Sequence, residues 1–423
     1  MGFFSRFKKK AKTENQPEID NSLSTSRSIF WGGSSSGTAV NETTAMQTAA
    51  VYACVRVISE AVASLPLRVY RYEDNGTRVT PSHYLHRLLH NAPNPEMTSF
   101  VFRETLMSHL LIYGNAYAQI MRDGTGRVTG LYPLLPNKMD VWRSDSGEIY
   151  YTYWREMDET RTRQEGGGIT LRKDQVLHIP GLSFNGLVGY SPIALAKNAV
   201  GMAIATENYG AGFFANGANP GGILEHPNSI KDPTKVRDAW EVLYKGAHNS
   251  GKVAVLEDGL KFHPVSIPPE AAQFLETRKF QLNEIARIFR VPPHMIGDLD
   301  KSSFSNIEQQ SLEFVKYCVN PWIVRWEQAL WQSLILPSEK DTYFVKFNLD
   351  GLLRGDYETR MKGYAIGIQN GFFSPNDVRK LENMNDIPEE RGGFNYMVNG
   401  NMVKLEDVGA AYRKRKGLDE EDE

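Results

Sequence analysis

Three histidines are the strongest candidates for metal chemistry in this chain. His83, His86 and His90 are spaced so that a helix would place them near one face. Neutral imidazole is a common metal ligand, but a closed site needs further ligands, and the nearby sequence offers no fourth. The pattern favours three histidines on a partly solvated helix. We therefore predict no metal and no cofactor.

Carboxylates and glycines supply the other candidates. Asp298 and Asp300 form an Asp-x-Asp pair in a polar loop, where solvation explains the carboxylates better than cation binding does. Gly251 and Lys252 resemble the end of a phosphate-binding loop, but Val253 stands where that motif needs Ser or Thr. The residues for nucleotide hydrolysis are missing, so we predict a protein that is not an enzyme.

Bulk composition narrows the class further. The 423 residues include 48 basic and 50 acidic side chains, a formal net charge of −2. A dedicated nucleic-acid binder usually has a basic excess, because phosphate contacts supply most of its affinity. No apolar run approaches the roughly 18 residues of a membrane span. We expect a soluble intracellular protein in which Cys54 and Cys318 are buried thiols, although the sequence leaves a disulfide open.

Hydrophobic periodicity predicts an α+β protein with an antiparallel sheet. Ser374 is a predicted helix cap, Asn75-Gly76 a hairpin turn, and Pro321 a kink site. Predicted helices cover 44–64, 83–90, 99–113, 191–216, 232–245, 269–290 and 305–333, with two more around 371–375. Predicted strands cover 67–72, 117–122, 128–133, 139–143, 150–154, 175–179, 222–225, 252–256, 260–265 and 343–349.

The elements that position the Asp-x-Asp loop suggest a mechanical part. A long helix ends at Val291-Pro292-Pro293, since proline lacks a backbone donor and restricts the residue before it. The polar loop follows, and a second long helix is predicted to begin at Ser305, with Glu308 completing a capping box. A small βαββ module lies between this pair and the small-residue helix that begins at Ser191.

Three segments and their order resemble the portal proteins of tailed bacteriophages, in particular the branch found in lambdoid phages with chainmail capsids. The segments are TAAVYACVRVISEAVASLPL at 48–67, LIYGNAY at 111–117 and FRVPPHMIG at 289–297. The resemblance covers most of residues 40 to 395, and each segment is modest alone. Their order makes the combination specific.

The resemblance implies a ring of twelve subunits at one vertex of a virion, assembled in the host cytoplasm. It implies a portal fold with these parts: a disordered N-terminal tail at 1–40, a wing at 41–190 and 305–354, stem helices at 191–218 and 268–291, a clip at 219–267, a tunnel loop at 292–304, a crown at 355–395 and a flexible C-terminal tail at 396–423. A helix rich in small residues suits close packing in such a ring.

The resemblance also implies partners. Double-stranded DNA would pass through the axis during packaging and ejection, and the tunnel loop would face it with Asp298, Asp300, Lys301, Ser302 and Ser303. The clip would dock the terminase large subunit and later a head-completion or adaptor protein, with Lys235 and Lys245 as docking candidates. The ring would also contact the major capsid protein, and no membrane would be involved.

Two alternatives from other classes stay open at this stage. One is a DNA-processing packaging enzyme, either a nuclease or an ATPase, which needs a carboxylate cluster or a phosphate loop. The other is a capsid or tail scaffold protein of a different kind. Native mass spectrometry or negative-stain imaging of the purified protein separates the three hypotheses, and a purely monomeric species with no ring under assembly conditions would count against a portal.

Overall fold

The computed structural model describes residues 32–74, 76–154, 167–215, 222–229, 231–244, 255–256, 259–264, 271–299, 304–349, 357–382 and 384–397. The chain divides into two compact units, Met1–Leu349 and Asp350–Glu423. None of the helices in these ranges combines the length and apolar character that a membrane span requires.

Every strand pair in the described ranges is antiparallel, which confirms the predicted α+β class. The strands form five sheets, with the orders β1-β2, β13-β3-β4, β10-β5-β6, β7-β8-β9 and β11-β12. Their bounds are β1 Gly32–Gly33, β2 Ala39–Val40, β3 Leu67–Glu73, β4 Gly76–Val79, β5 Asn115–Arg122, β6 Val128–Leu134, β7 Met139–Arg143, β8 Ile149–Trp154, β9 Gly168–Arg172, β10 Val176–Pro180, β11 Gly222–Glu225, β12 Lys261–Pro264 and β13 Tyr343–Phe347.

The helices follow the predicted order with some changes of boundary. In the described residues they are α1 Glu42–Gln47, α2 Ala49–Ser64, α3 Tyr84–His90, α4 Ser99–Tyr113, α5 Pro192–Leu195, α6 Lys197–Ala215, α7 Pro233–Tyr244, α8 Ala271–Phe289, α9 Phe304–Glu313, α10 Asn320–Leu334, α11 Tyr357–Gln369 and α12 Pro375–Leu381.

The core of the first unit forms where α2 packs against α4. On α2, Val51, Cys54, Ile58 and Val62 are fully buried, at the helical spacing that predicted this face. Burial of each large aliphatic side chain contributes about 1.5–3 kcal/mol. Cys54 and Cys318 are both buried and free, so the reading as two thiols is confirmed.

A buried cation joins three of these helices. Arg103 of α4 is 5% exposed, and its guanidinium donates to the carbonyl of Ala63 at 3.2 and 2.7 Å and to that of Leu89 at 3.0 Å. These carbonyls lie in the last turns of α2 and α3, where no intrahelical donor remains and the helix dipole is negative. Burial lowers the pKa of Arg103 to about 10, so it stays charged at neutral pH.

Two predicted helices are interrupted. The helix predicted over 44–64 breaks at Thr48, which is extended (φ −74°, ψ 120°), so that α1 contacts α6 while α2 packs in the core. The helix predicted from Ser191 breaks at Ala196 (φ −98°, ψ 20°), since α5 packs on α4 whereas α6 packs on α8. In both cases the break separates two helical segments that pack on different neighbours.

Three further predictions of local structure were wrong or incomplete. The helix after the polar loop begins at Phe304, so Ser305 lies inside it and is not its cap. Strand β9 is absent from the predicted strands; it begins at Gly168, pairs with β8 and brings Gly168 against the ring of Trp154. Of the strand predicted at 252–256, the described residues Val255 and Leu256 are not in a strand.

A π-helical segment replaces the simple kink predicted at Pro321. It spans Phe314–Val319 between α9 and α10, and the amide of Asn320 donates to Val315, five residues back. Pro321 has no amide hydrogen, so a regular helix would lose a bond here. Wide π turns inside α-helices are rare and occur frequently at functional sites.

The N-terminal segment is ordered in part. We predicted that residues 1–40 would not order by themselves; within them, β1 and β2 form a hairpin. The Ser35 amide donates to the Asn198 side chain at 3.1 Å, and a Cβ on Gly201 would overlap the Ser34 side chain. Contacts with α6 therefore supply the packing that the hairpin cannot provide by itself. At the other end, residues 398–423 lie outside the description.

The described residues of the second unit contain the helices α11 and α12 and a 3-10 turn at Glu389–Arg391. The Ser374 hydroxyl accepts from the Asp377 amide and the Asp377 side chain accepts from Ser374, so the predicted cap is a capping box at the start of α12. Glu382 pairs with Arg360 at 2.9 Å and accepts from Tyr364 at 2.9 Å, which joins α12 to α11.

Candidate functional site

The two long helices α6 and α8 pack antiparallel and form the frame of the candidate site. Near the end of α6, a Cβ on Gly210 would overlap the ring of Phe274, at the beginning of α8, so only glycine permits this approach. The rings of Tyr209 and Phe274 lie 6.3 Å apart. Glu207 of α6 lies near Arg278 of α8. Burial raises the pKa of the Glu207 carboxyl, and the charge of Arg278 partly opposes this shift.

Apolar side chains remain exposed on both helices. On α6, Met202 is 43% and Tyr209 53% exposed, and they are seven residues apart, on one side of the helix. On α8, Leu275 and Phe280 are each 56% exposed. Both of the paired helices thus keep large apolar side chains that are about half exposed in the described part of the chain.

Arginine, and not glycine, ends α8. Arg290 has φ +58°, the only positive φ of a non-glycine residue in the described chain. The amide of Arg290 donates to Arg287 and that of Val291 to Ala286, a Schellman ending that normally uses glycine. Its guanidinium reaches the Tyr317 carbonyl at 3.5 Å, in the π segment. The strained residue therefore joins the end of α8 to the π turn.

Side chains on both flanking helices hold the start of the polar loop. The Asn283 amide of α8 donates to the Asp298 carboxylate at 3.0 Å, and His294 Nδ1 lies 2.8 Å from Gln310 Oε1 of α9. Gly297 turns the chain with φ +95°. Of the predicted loop residues, Asp298 is thus tied to α8, and Asp300, Lys301, Ser302 and Ser303 lie outside the described residues.

The described residues of the module between α6 and α8 form a two-stranded sheet covered by a helix. Strands β11 and β12 pair in register from Gly222 opposite Pro264, and the indole of Trp240 on α7 stacks on Phe262 at 5.4 Å. Of the two predicted docking lysines, Lys235 is exposed and lies 3.5 Å from Asp232, whereas Lys245 lies outside the described residues.

Three glycines meet where the sheet region passes into the helical frame. Gly114 ends α4 with φ +77°, and a Cβ there would overlap the backbone of Tyr190. A Cβ on Gly181 or Gly189 would approach the Gly114 carbonyl too closely. The Asn115 amide donates to the Gly189 carbonyl at 2.7 Å, and its oxygen accepts from the Gly189 amide at 2.8 Å. This contact orients the chain just before α5.

A histidine extends that contact into the sheets. His178 Nε2 lies 3.1 Å from Asn115 Oδ1, and its Nδ1 lies 3.3 Å from the Tyr151 hydroxyl. The Tyr117 ring stacks on the imidazole at 4.4 Å. Burial lowers the pKa of His178 to about 3, so the ring is neutral, and it raises the pKa of Tyr151 to about 12.

The histidine trio has structural roles. His83 Nδ1 accepts from the Leu85 amide at 3.2 Å and so caps α3, whereas His90 Nδ1 lies 3.3 Å from the Leu67 carbonyl. Desolvation lowers the pKa of His83 and His86. Among the described residues no group of three or more His, Cys, Asp or Glu is arranged to hold a metal ion.

Comparison with known proteins identifies the family. The phage portal protein family matches residues 49–383. The chain belongs to the phage portal protein family. The predicted family is therefore confirmed.

Relatives of this portal chain are similar over most of their length. The portal protein of Enterobacteria phage HK97 is 35% identical over 88% of this chain and 86% of its own. The probable portal protein of Streptomyces phage phiC31 is 36% identical over 84% of this chain and 79% of its own. Both relatives are named as portal proteins, so the packaging-enzyme alternative is not favoured.

Solved structures show the same fold. An HK97-family phage portal protein from Corynebacterium diphtheriae has a TM-score of 0.53 at 19% identity, covering 73% of this chain and 95% of its own. A chain in the neck of a native gene transfer agent particle, computed with C12 symmetry, has a TM-score of 0.55 at 22% identity, covering 84% and 95%. The predicted portal fold is confirmed.

Sequence reasoning missed several residues that shape the site. Arg290 was part of the recognised 289–297 segment, but its left-handed conformation was not predicted, because an arginine at a Schellman position is rare. The pairs Asn283–Asp298 and His294–Gln310 join residues 15 and 16 positions apart, across the loop. Asn115 was part of the recognised 111–117 segment, but its partner Gly189 lies 74 residues away.

Proposed function

We propose that twelve copies of this portal-family chain form a ring around a channel for double-stranded DNA. The observation that carries this proposal is the set of exposed apolar side chains on the two helices, Met202 and Tyr209 on α6 and Leu275 and Phe280 on α8. A head-to-tail contact uses two different surfaces of each subunit and generates a ring when the rotation closes. The C12 symmetry of the neck structure with the same fold agrees with this arrangement.

The proposed parts follow the element order. Residues 191–218 and 268–291 would be the stem, 219–267 the clip, 292–304 the tunnel loop, 41–190 and 305–354 the wing, and 355–395 the crown. Packaging requires a motor and a shell, so the proposed partners are the terminase large subunit at the clip, later replaced by a head-completion or adaptor protein, and the major capsid protein. The ring would be assembled in the host cytoplasm and remain in the virion.

The proposed role is structural and not catalytic. A conduit must contact DNA without holding it, and binding strength grows with the number of phosphates that basic side chains neutralise. A net charge of −2 suits passage better than retention. The work of packaging would then come from a separate ATPase.

Assembly tests the proposal through one surface residue. Met202→Glu should convert rings to monomers, because a carboxylate in an apolar contact between subunits loses its hydration. Native mass spectrometry and negative-stain imaging measure the outcome. Met121→Glu is the matched control, since Met121 is 44% exposed but lies on β5. Rings that persist in Met202→Glu would contradict this interface, and a wild-type chain that never forms rings would contradict the proposed function.

A further inference from the structure

A second concave surface lies away from the paired helices. It is a cleft of about 1040 Å³ between the β7-β8-β9 sheet and the segment that follows α10. Five cationic side chains line it, namely Arg122, Arg143, Arg172, Lys173 and Lys340, together with the two carboxylates of Glu148 and Asp174. None of these residues belongs to the proposed stem, clip or tunnel loop.

Both carboxylates already have partners. Asp174 pairs with Arg172 at 3.1 Å, and Glu148 accepts a hydrogen bond from the Tyr150 hydroxyl at 2.8 Å. Within the described part of the chain, no carboxylate lies at ion-pair distance from any of the other four cations. The described part of the chain therefore leaves four of the five cations of the cleft without an ion-paired carboxylate.

Backbone carbonyls hold the cations in place. Arg122 donates to Gly126 at 2.8 Å and to Ser333 at 2.7 Å, and Arg143 donates to Gly147 at 3.0 Å. Lys340 donates to the Gln332 carbonyl at 3.3 Å and lies over the Trp331 ring. These contacts orient the side chains without removing their charge. A binding site built this way loses little conformational entropy when an anion arrives.

One donor of the cleft has no acceptor. Arg143 Nε is buried and has no hydrogen-bond partner among the described residues. A buried donor left unsatisfied costs about 1–3 kcal/mol, so such groups usually have a partner that completes them. The guanidinium of Arg143 therefore keeps one donor that its backbone contact with Gly147 does not satisfy.

We propose that this cleft binds an acidic peptide segment of a partner protein. Ile149, Ile335, Leu336 and Pro337 form apolar parts of the same lining. A peptide with apolar residues between carboxylates matches such a mixed surface, whereas a phosphate backbone has no apolar side chains to place there. The volume is close to that of pockets for compact ligands and does not suit a duplex.

Fluorescence anisotropy with the full-length chain tests this assignment. The probe is a fluorescein-labelled peptide of sequence Glu-Leu-Asp-Glu-Leu-Glu, and the reference peptide replaces each acid by its amide. We expect saturable binding of the acidic peptide that weakens at least tenfold between 50 and 300 mM salt, about the loss expected when several ion pairs are screened. Equal binding of the amide peptide would overturn the proposal.

Variants locate the site. Lys173→Glu changes an exposed side chain and should weaken peptide binding about tenfold or more. If Lys173→Glu does not fold, Lys340→Gln replaces it as the test variant. Lys346→Glu, at an exposed lysine of β13 outside the cleft, is the control and should bind like the wild type. Equal losses of binding in the control and cleft variants would overturn the assignment. A 20-base-pair DNA duplex serves as a competitor, with its concentration counted in negative charges. The assignment would also be overturned if the duplex displaced the labelled peptide at a lower concentration than unlabelled peptide does.

Discussion

At the residue scale, two buried ionisable side chains show how the fold uses charge. Arg103 stays protonated because the carbonyl ends of two helices surround it, and His178 stays neutral because its neighbours are a neutral amide and two tyrosine rings. The physical difference is the sign of the partial charges facing each group. Carbonyl oxygens stabilise a cation, whereas desolvation without a negative partner disfavours one.

The role of Arg103 gives a stability prediction. Arg103→Met should lower the free energy of unfolding by about 3 kcal/mol, because two buried carbonyls lose their donor. Arg103→Lys keeps a charge but not the fork of donors, and should cost about half as much. Urea denaturation of the purified chain measures both. Arg56→Ala, an exposed arginine of α2, should behave like the wild type, and an equally unstable Arg56→Ala would contradict the capping role of Arg103.

The neutral His178 predicts a dependence on pH. Its pKa is about 3 in the folded state and about 6.5 when unfolded, so the unfolded chain binds the additional proton. The contribution to stability is complete above pH 6.5 and is lost as the pH falls toward 3, at up to about 1.4 kcal/mol per pH unit. His178→Gln should reduce the loss between pH 7.5 and 5.0. Part of the loss of stability should remain in this variant, because burial also lowers the pKa of His109, to about 4. Identical pH slopes for variant and wild type would contradict this account.

At the element scale, close contacts decide where the helices point. Just before α5 the chain passes close to itself, which is possible because Gly114, Gly181 and Gly189 have no side chains. The Asn115 side chain then holds this crossing by hydrogen bonds to the Gly189 backbone. Arg290 performs a similar task at the end of α8, where its positive φ turns the chain toward the loop. Strain of this kind persists only where surrounding contacts over-determine it.

A glycine substitution tests the crossing. Gly114→Ala should destabilise the chain by about 2–4 kcal/mol, because alanine disfavours the left-handed conformation and its methyl group would overlap the Tyr190 backbone. Thermal unfolding followed by circular dichroism measures the change. Gly124→Ala is the matched control: its Cβ would meet nothing within 4 Å. A Gly114→Ala chain as stable as the control would show that the crossing can relax.

At the scale of the whole molecule, the proposed conduit separates assembly from DNA handling. The surfaces proposed for assembly lie on α6 and α8, whereas the polar loop lies between α8 and α9. The described start of that loop is held by contacts with both helices, through Asn283 and Gln310. A change from residue 298 onward removes the contact with Asn283 but keeps that between His294 and Gln310, and it should leave the helical frame intact.

Deletion of residues 298–303 separates the two functions. Rings should still assemble, whereas packaging or retention of DNA should fall, because the proposed tunnel loop would no longer reach the channel. Negative-stain imaging reports on assembly, and DNase-protected DNA per particle reports on packaging. Substitution of the same six residues by a Gly-Ser linker of equal length distinguishes loss of chemistry from loss of length. Normal packaging in the deletion variant would contradict the loop assignment.

The sequence alone indicated the family, through the resemblance of three segments and their order. It also predicted the fold class and most of the elements, because periodicity, prolines and caps are local signals that neighbouring residues carry. Only the tertiary structure revealed the breaks at Thr48 and Ala196, the carbonyl partners of Arg103 and the Asn115–Gly189 contact. It also brought together the cations of the cleft, which span more than 200 residues of the sequence between Arg122 and Lys340. Such features depend on contacts between residues that are far apart in the sequence, and local sequence patterns do not encode those contacts.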